Sequence, residues 1–160
     1  VIYKRIGHAK ACLFCCIERR KIMFEMKDKK LIIVHQVNCK GVMGSGFAKQ
    51  VADRYPELYM QYRIICQSAS SKELLGHIMI YEADDKIIVN MFSQDDYGNG
   101  VRQTDYEAMN KALQSLRVLY PNDIIIAPYK IGCGLGGGDW SVVSKILQKY
   151  NIETSTNIQL

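Results

Sequence analysis

Short runs of β-branched residues alternate along the chain with longer stretches in which apolar residues recur every three or four positions. Leu31-Ile32-Ile33-Val34 and Ile124-Ile125-Ile126-Ala127 have the length and branching of strands buried on both faces. Segments 77–82 and 86–92 flank Ala83-Asp84-Asp85, a pattern that predicts a β-hairpin. A helix is predicted over Phe47 to Arg54, ended or bent at Tyr55-Pro56, with Leu58, Tyr62 and Ile65 carrying a helical face onward. Ser68 to Ser71 and Ser93 to Arg102 read as polar loops. Thr104-x-x-Glu107 is a capping box, and the helix it predicts has Tyr106, Met109, Leu113, Leu116 and Tyr120 on one core-facing stripe. Asp139-Trp140 should open a last helix running to about Tyr150, and Ile152 to Leu160 should add a final strand.

Composition narrows this pattern without redirecting it. A chain of 160 residues with 48% hydrophobic residues can bury one substantial core. The expected organisation is one domain over 31–160, preceded by a basic segment, 1–30, packed on it. The net charge of +5 is unevenly placed: residues 1–30 hold nine Lys/Arg against three Asp/Glu, and the remainder holds twelve against thirteen. The body is therefore close to neutral, which argues against a nucleic-acid surface on the domain itself. The longest uncharged apolar stretch, Ala11 to Ile17, is too short to span a bilayer, and Glu18-Arg19-Arg20-Lys21 follows it where a signal peptide would have small residues. Six cysteines lack the spacing of a disulfide framework, so reduced thiols in the cytoplasm are expected. Cys12-x-x-Cys15-Cys16 beside His8 raises zinc, but no second ligand pair follows, and no metal is expected.

Two places carry candidate chemistry. Leu31 to Val34 leads into Gly41, Gly44 and Gly46 and then a helix; Ile124 to Tyr129 leads into Gly132-Cys133-Gly134-Leu135-Gly136-Gly137-Gly138 and then Asp139. Glycine lets backbone approach a ligand closely, and the start of a helix favours negative charge. Two such loops at the C-terminal ends of buried strands predict a site for a phosphorylated small molecule.

The segments Val37-Asn38-Cys39-Lys40-Gly41-Val42-Met43-Gly44-Ser45-Gly46-Phe47-Ala48 and Pro128-Tyr129-Lys130-Ile131-Gly132-Cys133-Gly134-Leu135-Gly136-Gly137-Gly138-Asp139-Trp140, in this order and at this spacing, resemble the macro domain family over about Leu31 to Tyr150. The resemblance points to the branch of ADP-ribose-1″-phosphate phosphatases, Appr-1″-p processing proteins and terminal-ADP-ribose glycohydrolases. It implies an α/β fold of three layers, α/β/α, with a mixed central sheet, and ADP-ribose lying across the C-terminal strand ends. Gly44, Ser45 and Gly46 would donate to the diphosphate and distal ribose. Ile131, Gly132, Cys133, Gly134, Leu135 and Gly136 would wrap the other side, and Asn38 would lie near the distal ribose.

The departures are as specific as the matches. Gly41 stands where many de-ADP-ribosylating macro domains carry a second asparagine. Ser93-Gln94-Asp95-Asp96 replaces the lysine of the lysine-nucleophile branch, and Gly136 replaces its aspartate. The acid expected to contact adenine is missing, with Asp28 as a stand-in.

Cys133 as a nucleophile with His35 as its base lacks an orienting third group, and filling a tight turn is the competing role. The expected nucleophile is water, positioned by Asn38 and an acid, Asp95, Asp96 or Asp139; for Asp139 the competing role is helix N-cap. Hydrolysis of ADP-ribose-1″-phosphate, or of an ADP-ribosyl linkage on a macromolecule, is the expected activity, with no cofactor. The alternative is a module that binds ADP-ribose without turnover. A third reading, nucleic-acid association, would use only the basic N-terminal segment.

Overall fold

The computed structural model of the protein describes residues 30–98 and 100–160. The Cys12–Cys16 cluster, His8 and Asp28 lie outside them. Residues 31–160 form one compact unit.

Five strands, β1 (Leu31–Asn38), β2 (Ile78–Glu82), β3 (Lys86–Gln94), β4 (Ile125–Pro128) and β5 (Glu153–Ser155), form one sheet in the order β2-β3-β1-β4-β5. β1 pairs in parallel with β3 and β4, and β4 with β5, while β2 runs antiparallel to β3. The sheet is therefore mixed, with its parallel strands covered on both faces as parallel strands require. Because side chains alternate along a strand, β1 serves two cores. Ile32 and Val34 pack toward helices α4 (Tyr106–Leu119) and α5 (Trp140–Lys149); Ile33 and Val37 pack toward α1 (Gly46–Arg54) and α2 (Pro56–Ser68). This is the three-layer α/β/α arrangement. Arg117 closes one end of it, donating to the carbonyls of Tyr120 and Asp123 and to those of Tyr150 and Asn151.

Several expected boundaries move. β1 ends at Asn38, as expected, but with a register shift against β3 between Val37 and Asn38, so Val37 faces Phe92 and Asn38 faces Gln94. Ser93 and Gln94 belong to β3 rather than to a loop, and Ser93 is fully buried. The segment 68–71 ends α2 and opens a short helix, α3 (Ser71–Leu74), whose capping box is Ser70 with Glu73. The capping box expected at Thr104 is absent. Asp105 caps α4 instead, accepting from Ala108 N–H at 2.9 Å, while Thr104 turns inward and is buried. The final strand shortens to Glu153–Ser155, after which Ile158 and Leu160 pack against the α1/α2 core. No described helix is long and apolar enough to cross a membrane.

Candidate functional site

β1 and β4 are neighbours and parallel, so the glycine loops that follow them leave the same sheet edge. Between the loops is a cleft of about 580 Å³. Residues 35–38 of β1 line its floor, 42–48 one wall, and 128–132 with 134–136 the other; Gln94, Tyr97 and Gly98 close it from the end of β3. Asn38, Gly44, Ser45, Gly46, Ile131, Gly132, Gly134, Leu135 and Gly136 are thus brought together at one cleft. Cys133 and Asp139 do not line it. Among the lining residues there is no carboxylate, and Lys130 is the single charged one. No group of metal-ligating side chains occurs among the described residues.

Asn38 builds the first loop. Its Oδ1 accepts from the backbone N–H of Lys40 (3.0 Å) and Val42 (3.2 Å) and from the Tyr62 hydroxyl (2.9 Å), and its Nδ2 donates to the Val42 carbonyl at 2.6 Å. The same Tyr62 hydroxyl reaches the Asn38 carbonyl at 2.6 Å. The amide expected at the ribose is therefore spent largely on folding residues 38–42, a positioning role. Beyond it, the backbone N–H groups of Gly44, Ser45 and Gly46 donate to no described protein group. Ser45 is the N-cap of α1 without a side-chain cap bond, and no acid stands in the first turn. The positive end of this helix is open toward the cleft.

A polar cluster that the sequence reading missed holds the second loop. Gln36 Nε2 donates to Gln94 Oε1 (2.6 Å) and to Thr104 Oγ1 (2.9 Å), and Gln36 Oε1 accepts from Ser93 Oγ (2.9 Å). Thr104 Oγ1 donates in turn to the Gly132 carbonyl at 2.7 Å, and the Gly136 carbonyl accepts from the N–H of Gln103 and Thr104. The loop closes on itself through Cys133 N–H to Lys130 O and Gly138 N–H to Gly132 O. A polar Gln36 in the second half of a buried strand was the available sign of this cluster; Thr104 was hidden by its aptness as a cap.

His35 lies on the opposite face of β1 and is fully buried. Its Nε2 is 2.7 Å from Asn90 Oδ1, its Nδ1 has no hydrogen-bond partner, and its ring meets Phe47 edge-on at 5.7 Å. Burial lowers its pKa to about 4, against the smaller opposing effects of Asn90 and the Gln36 backbone, so the imidazole is neutral at physiological pH. No hydrogen bond links it to Cys133. That thiol, pushed up by burial and by Asp139, points at the Ile131 carbonyl (3.4 Å) and is not an activated nucleophile. Asp139 is exposed and accepts from Ser141 N–H at 2.7 Å, which holds its carboxyl below the usual range. It is the cap of α5, and its expected part in catalysis has no geometric basis. Asp95, a second candidate acid, is held low by hydrogen bonding to Lys40, with which it forms an ion pair at 2.8 Å, and neither it nor Asp96 lines the cleft.

No family model matches the chain. It is 27% identical over 161 residues to the ADP-ribose 1″-phosphate phosphatase of Saccharomyces cerevisiae, a match that covers 82% of this chain and 90% of the yeast protein. Its fold superposes on the macrodomain of Mycobacterium tuberculosis DarG with a TM-score of 0.63 and 26% identity, over 81% of this chain and 89% of that one. The chain has the macrodomain fold and is similar in sequence to proteins of that family. A second relative, the DNA ADP-ribosyl glycohydrolase of Mycobacterium tuberculosis, is 28% identical over 120 residues, 72% of this chain but 33% of the relative. The fold is the α/β/α macrodomain arrangement expected from the motifs.

Proposed function

We propose that this macrodomain binds ADP-ribose in the cleft between its glycine loops and hydrolyses ADP-ribose 1″-phosphate, with water, to ADP-ribose and inorganic phosphate. The observation that carries the reading is the cleft itself. Two loops present unpaired backbone N–H groups, one at an uncapped helix start, around a space with no carboxylate, an arrangement suited to a diphosphate. In this reading Gly44–Gly46 and Gly132–Gly136 hold the diphosphate and distal ribose, and Asn38 fixes the first loop so that an attacking water is held in place. Cleavage of an ADP-ribosyl linkage on a macromolecule would use the same cleft. The expected setting is the cytoplasm and nucleotide metabolism, in keeping with the free thiols of Cys39, Cys66 and Cys133 among the described residues.

A second reading, binding without turnover, is favoured by one specific observation. The Asn38 amide is engaged within its own loop and no acid lines the cleft, so the side chains at hand are better suited to holding than to proton transfer. Two measurements separate the readings. Calorimetry with ADP-ribose tests the site; incubation with ADP-ribose 1″-phosphate, followed by phosphate release, tests turnover. Binding without release selects the module, and absence of binding removes both readings.

A further inference from the structure

Lys130 is singled out by its backbone and, among the residues that line the cleft, by its charge. It occupies the third position of the turn 128–131, closed by Ile131 N–H to Pro128 O at 3.0 Å, with φ at 57°. That left-handed conformation is ordinarily given to glycine or asparagine, because a Cβ crowds the backbone there. Among the described residues the one other non-glycine residue with positive φ is Asn151, of a type that tolerates it. Strain retained in a residue at the wall of a cleft is a pointer to function rather than to folding.

The charge argues the same way. Lys40, beside the first loop, is neutralised by Asp95, Lys49 by Asp53, and Lys86 by Asp85. Lys130 forms no such pair among the described residues; its ammonium lies 5.7 Å from the centre of the exposed Tyr129 ring. The second wall also lacks what the first wall has. The start of α1 is open, whereas the start of α5 is closed by the Asp139 carboxylate, which cancels the helix's attraction for an anion. Without Lys130 that wall would carry no positive charge.

We propose that Lys130 is a specificity-determining residue, kept in a strained turn to set one unpaired positive charge at the second wall for a phosphate group of the ligand. The inference rests on the ADP-ribose reading of the cleft. That phosphate is either part of the diphosphate or the terminal 1″-phosphate, and the two ligands distinguish them. Affinity for ADP-ribose and for ADP-ribose 1″-phosphate (as Kd, or as KM if it is turned over) should be measured at low and high salt for wild type, Lys130→Asn and Lys130→Arg. Lys130→Asn should have a melting temperature at or above wild type, bind about tenfold more weakly at low salt, and show a shallower salt dependence. Lys130→Arg should keep most of the affinity. An equal loss for both ligands assigns the charge to the diphosphate; a larger loss for ADP-ribose 1″-phosphate assigns it to the terminal phosphate. Wild-type protein that binds neither ligand removes the reading beneath the inference. Wild-type binding matched by Lys130→Asn at low salt overturns the inference alone.

Discussion

A Cβ built at Gly44 would meet only Val42 Cγ1, at 3.8 Å, and one built at Gly46 would meet nothing within 4 Å. Across the cleft, a Cβ at Gly136 would come 2.6 Å from Thr104 Oγ1 and 2.7 Å from the Gly132 carbonyl, and one at Gly132 would come 2.7 Å from Gln36 Oε1. Two loops that look alike as sequence therefore use glycine for different reasons. In the first loop, rigidity comes from Asn38 and Tyr62, and Gly44 and Gly46 leave the backbone bare toward the cleft, while Gly41 packs against Arg63 and Cys66. In the second, the glycines at 132, 136 and 138 are packing devices that let the loop sit down on Gln36 and Thr104, and Gly134 is the one with open space around it. Adjacent residues of β1 divide the work: His35 belongs to the face of the first loop and Gln36 to that of the second.

The largest test of this contrast is charge at the open glycine of the crowded loop. Gly134→Glu should fold normally, because its Cβ meets nothing within 4 Å, yet it would set a carboxylate against the proposed diphosphate. An uncompensated charge of that kind costs several kcal/mol, so affinity for ADP-ribose should fall on the order of 10³-fold with the melting temperature unchanged. Undiminished affinity by calorimetry would remove the second wall from the site.

Next in size is a pH effect confined to the first face. The folded pKa of His35 is lowered to about 4, below its ordinary 6.5, so the unfolded chain takes up a proton before the folded one does. The stability involved is complete above pH 6.5 and is lost as pH falls toward 4, by roughly 3 kcal/mol at the lower limit. Urea unfolding at pH 7.5, 6 and 5 should show this slope in wild type and a weaker one in His35→Gln. Parallel slopes would mean that another group governs acid destabilisation.

The packing difference itself can be measured. Gly136→Ala should destabilise by about 1–3 kcal/mol, since backbone oxygen and a hydrogen-bonded hydroxyl stand where the methyl must go. Gly44→Ala should stay within about 0.5 kcal/mol of wild type. Equal effects in thermal unfolding would show that both loops use glycine for the same purpose.

What the residues revealed in advance follows from the range of the interactions. Strand runs and glycine clusters are local signals, so β1, β4 and the two loops were legible, as was the cleft between them. Gln36 was not, because its value lies in Ser93, Gln94 and Thr104, 57 to 68 positions away. Thr104 and Asp105 are both suitable caps for α4; what decides between them is the Gly132 carbonyl, a contact across the fold that takes Thr104. The tail beyond Ser155 has strand-like composition, but Ile158 and Leu160 find burial in the α1/α2 core instead of along the sheet edge. Asp139 had two candidate roles, and the choice rests on its bond to Ser141 N–H and its place outside the cleft lining, the second of which no local pattern encodes.

The smallest expected effect concerns Cys133, the residue of the second loop with the most reactive side chain. Its sulfur is 3.4 Å from the Ile131 carbonyl, burial and Asp139 raise its pKa, and it does not line the cleft. A thiol that is protonated at neutral pH and has no base beside it cannot lead an attack, so Cys133→Ala should change single-turnover rates less than about twofold. Asn38→Ala should lower them on the order of 10²-fold, because the first loop would lose the amide that binds Lys40 N–H, Val42 N–H and the Val42 carbonyl. Measuring both variants alongside their ADP-ribose affinity separates lost chemistry from lost binding. An inactive Cys133→Ala protein with wild-type stability and affinity would reverse the assignment: the second loop would then hold the nucleophile, and the division between an approach loop and a packing loop would fail.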